Sequence, residues 1–265
     1  MKIWAHVICQ NEENYIWFAL MSVVSDVEKI MVWDTGSDDL TVALVQDVMD
    51  RYPNKIEFRQ CGKVDGDQLT KLRQEMLDQS KCDWILIVDG DEVWWKGSLS
   101  KLISFIQKNG KKLAAIVVPY KVPVGDIYHF QSESAGQYQL MGKKGYLTIR
   151  AINRKISGLT VKNKYPLEGY VDGEGVLLQN RNDLGYLDAP YLHLTHLERS
   201  SKKRVRNTQK IELGKYVGEE FEFPEVFYID KPATVPSPWR KIGWNHKGVA
   251  FAATWLRNLK RRIRR

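Results

Sequence analysis

The sequence predicts a doubly wound α/β domain built on a mainly parallel sheet, and three observations carry that prediction. Apolar strand-like runs begin at Ile3, Ile30, Ile56 and Trp84, 26 to 28 residues apart. Stretches with helical spacing lie between them. One run, Trp84-Ile85-Leu86-Ile87-Val88, is apolar throughout, as a strand covered on both faces of its sheet must be.

Taken in order, the first strand, IWAHVIC, precedes a helical stripe of Ile16, Leu20, Val23 and Val24. The second, KIMVWD, precedes Leu40, Leu44 and Val48, and the third, KIEFRQ, precedes Leu69, Leu72 and Met76. Asn11, Ser37 and Asp67 are placed to cap the three helix starts. About 27 residues is one strand, one helix and two short loops, so right-handed crossovers and parallel pairing follow. A fourth helix is predicted over Ser98–Asn109 with Gly110 closing it, then a strand over Ala114–Tyr120. Beyond residue 121 Pro, Gly, Tyr and polar residues dominate, with strand-like pieces such as Tyr146–Ile152, which predicts an irregular layer closing over the sheet edge. The division is residues 1–120 as the regular half, 121–240 as the second half of the same domain, and 241–265 as a basic tail.

At 265 residues with 43% hydrophobic content, the chain can bury a real core and is not a disordered polymer. Three cysteines, Cys9, Cys61 and Cys82, show neither CxxC nor zinc spacing, which predicts reduced, packed thiols in a cytosolic protein. The chain opens directly on an apolar strand, and no apolar run approaches the roughly 18 residues of a membrane span. The expected location is cytoplasmic. Net charge is +8, but six basic residues fall in the last nine positions, leaving a nearly balanced body. From Val249 onward Ala252, Trp255, Leu256, Leu259 and Ile263 form one helical stripe among Arg and Lys. Such a basic amphipathic helix suits a peripheral anchor on an anionic membrane surface, each basic residue contributing roughly 1 kcal/mol near the lipid. No nucleic-acid-binding motif is present, so no nucleic-acid partner is expected.

Chemistry concentrates where the buried fourth strand runs into Asp89, Gly90, Asp91 and Glu92. The carboxyl edge of an open α/β sheet is where ligands bind. Alternate residues of an extended strand share a face, so Asp89 and Asp91 can converge on one divalent cation or one ribose. Magnesium or manganese suits such a pair, because hard cations take oxygen ligands and leave positions for substrate phosphates. Strand 2 ends similarly, in WDTGSDD with Gly36 allowing a tight turn, and strand 1 ends in CQNEEN. Three neighbouring strands therefore present polar tips on one edge.

In this order and spacing, ICQNEENYI, VWDTGSDD, the helix carrying Lys71-Leu72-Arg73, and ILIVDGDE resemble the nucleotide-sugar domain of family 2 glycosyltransferases of the GT-A fold. The resemblance covers roughly residues 3 to 120. It implies a GT-A-like sheet and a metal-dependent, inverting transfer of a sugar from a nucleotide-diphosphate donor to a glycan or lipid-linked acceptor, as in cell-envelope glycan synthesis. It also implies that Asp34 bonds the nucleobase and that Asn11 and Glu12 line the nucleotide pocket. Arg73 would approach the diphosphate, Asp89 with Gly90 the ribose, and Asp91 the Mn2+ or Mg2+ ion. Lys71-Leu72-Arg73-Gln74 stands where the family commonly shows A-R-N.

Inverting transfer needs a carboxylate to take the proton of the acceptor hydroxyl. YPLEGYVDGEG offers Glu168, Asp172 and Glu174, and the order of preference is Asp172, Glu174, Glu168. The family's H-E pair is missing from this segment, so the base stays open among the three. YLHLTH places His193 and His196 three apart, on opposite faces of an extended strand, and the resemblance makes either one a candidate third metal ligand. HLERSSKKRVRNTQK reads as an exposed basic helix. Trp94, Trp95, Tyr120, Tyr128 and Tyr170 could stack on sugar faces or simply wall the cleft.

Two other readings use the same residues. In a phosphatase of the haloacid-dehalogenase type, Asp89 would be the nucleophile and Asp91 the general acid. That fold normally carries the motif on its first strand, and here three β-α units precede it. A non-catalytic nucleotide- or sugar-binding module is the other.

Overall fold

The computed structural model describes residues 1–202, 212–218, 220–241, 250 and 254. The first half alternates as predicted: β1 (Ile3–Cys9), α1 (Ile16–Met21), β2 (Lys29–Asp34), α2 (Thr41–Arg51), β3 (Ile56–Gln60), α3 (Gly66–Gln79) and β4 (Trp84–Ile87). A three-residue strand β5 (Glu92–Trp94), α4 (Lys96–Asn109) and β6 (Ala115–Lys121) follow. The second half is short strands and turns: β7 (Pro123–Val124), β8 (Asp126–Phe130), β9 (Tyr138–Leu140), β10 (Lys143–Gly145), β11 (Leu147–Asn153), β12 (Thr160–Lys162), β13 (Gly169–Val171), β14 (Leu184–Tyr186), β15 (Tyr191–His193) and β16 (Lys215–Tyr216).

The main sheet runs β3-β2-β1-β4-β11-β6-β15-β5, with β14 also pairing with β6. Its first four strands are parallel, and β11 enters antiparallel to both β4 and β6. The second half therefore does not only close over the edge: β11, β14 and β15 complete the sheet itself. Alternation along the strands sorts the core. Ala5, Val7, Ile30, Val32 and Leu86 pack on one face with α1, α2 and α4, while Ile85, Ile87, Val117 and Leu77 fill the other, where Trp4, Met31, Trp33 and Met76 add a third cluster. Both faces are covered, which is why the β4 run is apolar without alternation.

None of the three predicted N-caps falls on its predicted residue. α3 opens with a capping box, Asp65 accepting from the amides of Asp67 and Gln68 while the Gln68 side chain accepts from the Asp65 amide, two residues before the predicted position. Asn11 and Ser37 do not cap α1 or α2, whose N-caps are Tyr15 and Leu40. They bond each other's loops instead. Gly110 closes α4 in right-handed geometry, φ −60, rather than as a left-handed cap. Among the described residues no helix is long and apolar enough to cross a membrane. The predicted amphipathic tail over 249–265 lies outside the described residues except for Ala250 and Thr254.

Candidate functional site

Strand β4 stops at Ile87, and Gly90 and Asp91 form a turn before β5. The two aspartates are therefore not alternate residues of one extended strand. Asp89 keeps 35% of its side chain exposed, whereas Asp91 keeps 1%. Glycine is required between them, because a Cβ at Gly90 would stand 2.7 Å from Cγ of Glu12. That close approach brings the β1 loop against the acidic turn.

Two arginines that the sequence reading did not single out balance these acids. Arg150, on β11, is buried and contacts Glu92 closely and Asp89 at 3.3 Å. Its guanidinium is fixed from the other side, with Nε donating to the Tyr191 hydroxyl at 3.0 Å and the cation lying 5.2 Å from that ring. Tyr191 in turn stacks on Trp94 and Tyr120. Burial pushes the Glu92 carboxyl up, and Asp89 and Asp91 push the same way, while Arg150 opposes them. Arg150 stays a cation because Glu92, Tyr191 and Asp89 surround it. A signal for it existed: an arginine inside the apolar run LTIRAIN needs a buried counter-charge.

Arg199 does the equivalent work at Asp91, pairing with it closely and with Glu12 at 3.2 Å. The predicted exposed basic helix does not form over 197–202, which is bend and irregular backbone. That segment is tied to the β1 loop: Asn14 donates to the Glu198 and Arg199 carbonyls, and Glu13 accepts from the Ser201 amide. Residues 203–210 of the predicted helix lie outside the described residues.

His193, at the end of β15, places Nε2 3.6 Å from Oδ2 of Asp91 and 3.9 Å from Glu92. Burial lowers its pKa, so the imidazole is neutral, the form a metal ligand requires. Its Nδ1 is buried without a hydrogen-bond partner among the described residues. The 3.6 Å gap is too long for a hydrogen bond and slightly wider than the roughly 3.0–3.4 Å that two ligands at about 2.1 Å leave at octahedral or tetrahedral angles, so a small shift would bring both onto one cation. An imidazole and a carboxylate at an open edge fit manganese or magnesium, with Asp89 beside them. Among the described residues no three His, Cys, Asp or Glu side chains form a ready cluster, so substrate or water would complete the shell, and Arg199 would have to yield Asp91. His196 follows in the turn after β15, half-buried.

The loops after β1 and β2 interlock. Asn11, at φ 54, donates its amide to the Ser37 hydroxyl and accepts from the Asp38 amide. Asp34 is buried and accepts from the amides of Gly36 and Ser37 and from the Ser37 hydroxyl. Its carboxylate thus builds the turn. Glu12 donates its amide to Thr41 at 2.8 Å.

A cleft of about 560 Å3 opens beside Asp89 and Arg150, lined also by Arg73, Glu168, Tyr170 and Thr148. Glu168 reaches it because its loop is docked on α3: the Val161 amide donates to Gln74, Thr70 donates to the Asn163 carbonyl, and Lys164 pairs with Asp67. Arg73 and Glu168 stand 3.4 Å apart without a hydrogen bond, and Oε2 of Glu168 has no hydrogen-bond partner among the described residues. Asp172 is engaged elsewhere. It accepts from the amides of Val176 and Glu174 and pairs with Arg181, and the Val176 amide, then Arg181, hold its pKa down. Glu174 is exposed at the tip of that turn. Neither Asp172 nor Glu174 lines the cleft.

Residues 4–164, more than half of the chain, match the model of glycosyl transferase family 2. Among solved structures, S. aureus TarS 1–349 in complex with UDP-GlcNAc is similar at 19% identity and a TM-score of 0.51, over 78% of this chain and 60% of that one. The same TarS fragment with UDP gives 19% identity and a TM-score of 0.51 over 73% and 60% of the two chains. The chain thus spans about three fifths of the length of those structures, and at this identity the likeness establishes a GT-A-like α/β fold. A search of curated proteins returns no match. The matched region takes in the β1 and β2 loops, the DGDE turn, Arg73 and Arg150, while Glu168, His193 and Arg199 lie beyond it, and the chain belongs to glycosyl transferase family 2.

Proposed function

We propose that the protein transfers a sugar from a nucleotide-diphosphate donor to a glycan or lipid-linked acceptor, with inversion and with a divalent metal. The observation that carries this reading is the meeting of Asp89, Asp91, His193 and Arg150 at the carboxyl edge, beside a cleft that also holds Arg73 and Glu168. The nucleotide lies over the interlocked loops, with Asn11 and Glu12 lining its pocket and Asp34 shaping the end that takes the base. Asp89 and Gly90 take the ribose. Asp91 and His193 would hold Mn2+ or Mg2+, which when bound neutralises the diphosphate leaving group. Arg73 and Arg150 supply positive charge to the same phosphates, an electrostatic contribution that is largest in a site closed to water.

Glu168 is the base in this scheme, ahead of Asp172 and Glu174, because it lines the cleft and one of its oxygens has no hydrogen-bond partner among the described residues. Its carboxylate takes the acceptor hydroxyl proton while that oxygen attacks the anomeric carbon opposite the diphosphate. The tail beyond 249 is the part we assign to an anionic membrane surface.

A thermal-shift panel tests the donor site: UDP-GlcNAc, GDP-mannose, a CMP-sugar and a dTDP-sugar, each with manganese or with EDTA, on wild type and Asp91→Asn. A donor at 100 times its Kd adds about 2.7 kcal/mol of stability, several degrees for a domain of this size. The reading expects one nucleotide class to stabilise the wild type with metal and not in EDTA, and to lose its effect in Asp91→Asn. Stabilisation without turnover of the donor would instead favour the non-catalytic binding module. No shift from any donor, with the protein folded, would overturn both.

A further inference from the structure

A second cavity, of about 430 Å3, lies outside the cleft and shares none of its lining residues. Its wall is aromatic: Tyr128, Tyr216, Phe221, Phe223, Tyr228 and Trp239. Tyr128 and Trp239 are near-parallel at 6.3 Å, and Phe223 meets Trp239 edge-on at 5.4 Å. Trp239 is therefore held at a set angle by its neighbours. A wall of this composition would be core packing if it were covered, but Tyr228 is 63% exposed and Tyr216 is 50% exposed.

Polar groups sit at the same wall. His129 Nδ1 is 2.5 Å from Oδ1 of Asp126, which fixes the ring, and His129 also packs against Tyr216. Lys241 Nζ stands 5.2 Å from the Tyr128 ring centroid. Flat exposed rings beside an imidazole, a carboxylate and an ammonium suit a ligand with one apolar face and a rim of hydroxyls, which is a pyranose. The volume falls within the roughly 300–1,000 Å3 of small-ligand sites.

We propose that this cavity is a carbohydrate-binding subsite that holds a sugar ring of the acceptor glycan away from the reacting end. The role of its occupant as acceptor rests on the transferase reading; binding of sugar there does not. Position supports the link. Trp95 donates from its indole N–H to the Glu222 carbonyl and packs edge-on against Phe221, one of the wall residues. Trp95 directly follows β5, the strand that begins at Glu92, so the chain itself joins the neighbourhood of the cavity wall to the acidic turn.

The test is a glycan array probed with the full chain in the absence of nucleotide and metal, with wild type, Trp239→Ala, Tyr228→Ala, Tyr216→Ala and Asp91→Asn. Tyr228 and Tyr216 are exposed, so their variants keep the test valid if Trp239→Ala does not fold. The proposal expects glycan signal that falls at least tenfold in Tyr228→Ala and Tyr216→Ala and survives in Asp91→Asn. Transfer should then show a raised KM for the bound glycan with unchanged kcat in the tyrosine variants. Signal lost in Asp91→Asn but kept in the tyrosine variants would place sugar binding in the cleft and overturn the proposal, as would an array with no signal for folded wild type. An array signal that follows the tyrosines while the donor panel fails would sink the transferase reading and leave this site standing.

Discussion

His6 gives the sharpest test of the architecture beneath the site. It lies on β1, buried, and its Nε2 is 2.6 Å from the Ser80 hydroxyl, which itself donates to the Met76 carbonyl at the end of α3. Burial, with Arg73 and Arg154 adding to it, pulls the imidazole from 6.5 down to about 3. The folded chain therefore keeps His6 neutral while the unfolded chain begins to bind a proton near pH 6.5, so this contribution to stability is complete above that pH and is lost as pH falls towards 3. Between pH 7.5 and pH 5.0 the loss is about 2 kcal/mol. Moving the folded value by a whole unit barely changes that figure, because at pH 5.0 it is set by the unfolded chain. The assay is urea denaturation of wild type and His6→Gln at both pH values. Glutamine can still bond Ser80 but does not titrate, so the other groups cancel in the comparison and the variant should lose about 2 kcal/mol less than wild type on acidification. Equal losses in the two proteins, or an NMR titration of His6 near 6.5, would refute a buried neutral imidazole at this position.

Two further outcomes bear on the site. Arg150→Met should destabilise by about 3–5 kcal/mol in denaturant melts, because it leaves Glu92 buried without its counter-charge, and the double variant Arg150→Met/Glu92→Gln should recover most of that loss; strictly additive losses would mean that the two side chains are not coupled. Glu168→Gln should lower kcat for transfer by about 10^2 to 10^4 while leaving the donor-induced thermal shift in place, whereas Asp172→Asn should not, and the reverse result would move the base to Asp172.

Much of the frame was legible because it is written in local periodicity. The 27-residue repeat located β1 to β4 and three helices, and the run from Trp84 into Asp89 located the edge of the sheet. What escaped was non-local. Arg150 and Glu92 are 58 residues apart, and Arg199 and Asp91 are 108 apart, so no spacing rule joins them. The caps expected at Asn11 and Ser37 failed for a related reason: each side chain had a better partner across the neighbouring loop than at its own helix start. The segment after His196 looked like a solvated helix because serine, lysine and arginine are polar, yet Ser200 and Arg199 are turned inward to satisfy Asp39, Glu12 and Asp91.

Those long-range pairs also explain how four acids can crowd one edge. Glu12, Asp89, Asp91 and Glu92 would repel one another in a poorly solvated site, and Arg150 and Arg199 offset that repulsion at opposite ends of the turn. The two arginines are not equivalent. Arg150 is clamped by Tyr191 from a central strand of the main sheet, so its charge is part of the fold. Arg199 comes from irregular backbone tied to the β1 loop, so its charge is not built into the sheet. A cation arriving at Asp91 and His193 would replace the charge that Arg199 supplies, and the freed guanidinium would stand beside the diphosphate that the cation brings with it. A cation that displaces Arg199 would thus favour the donor, and by reciprocity the donor would favour the cation to the same degree.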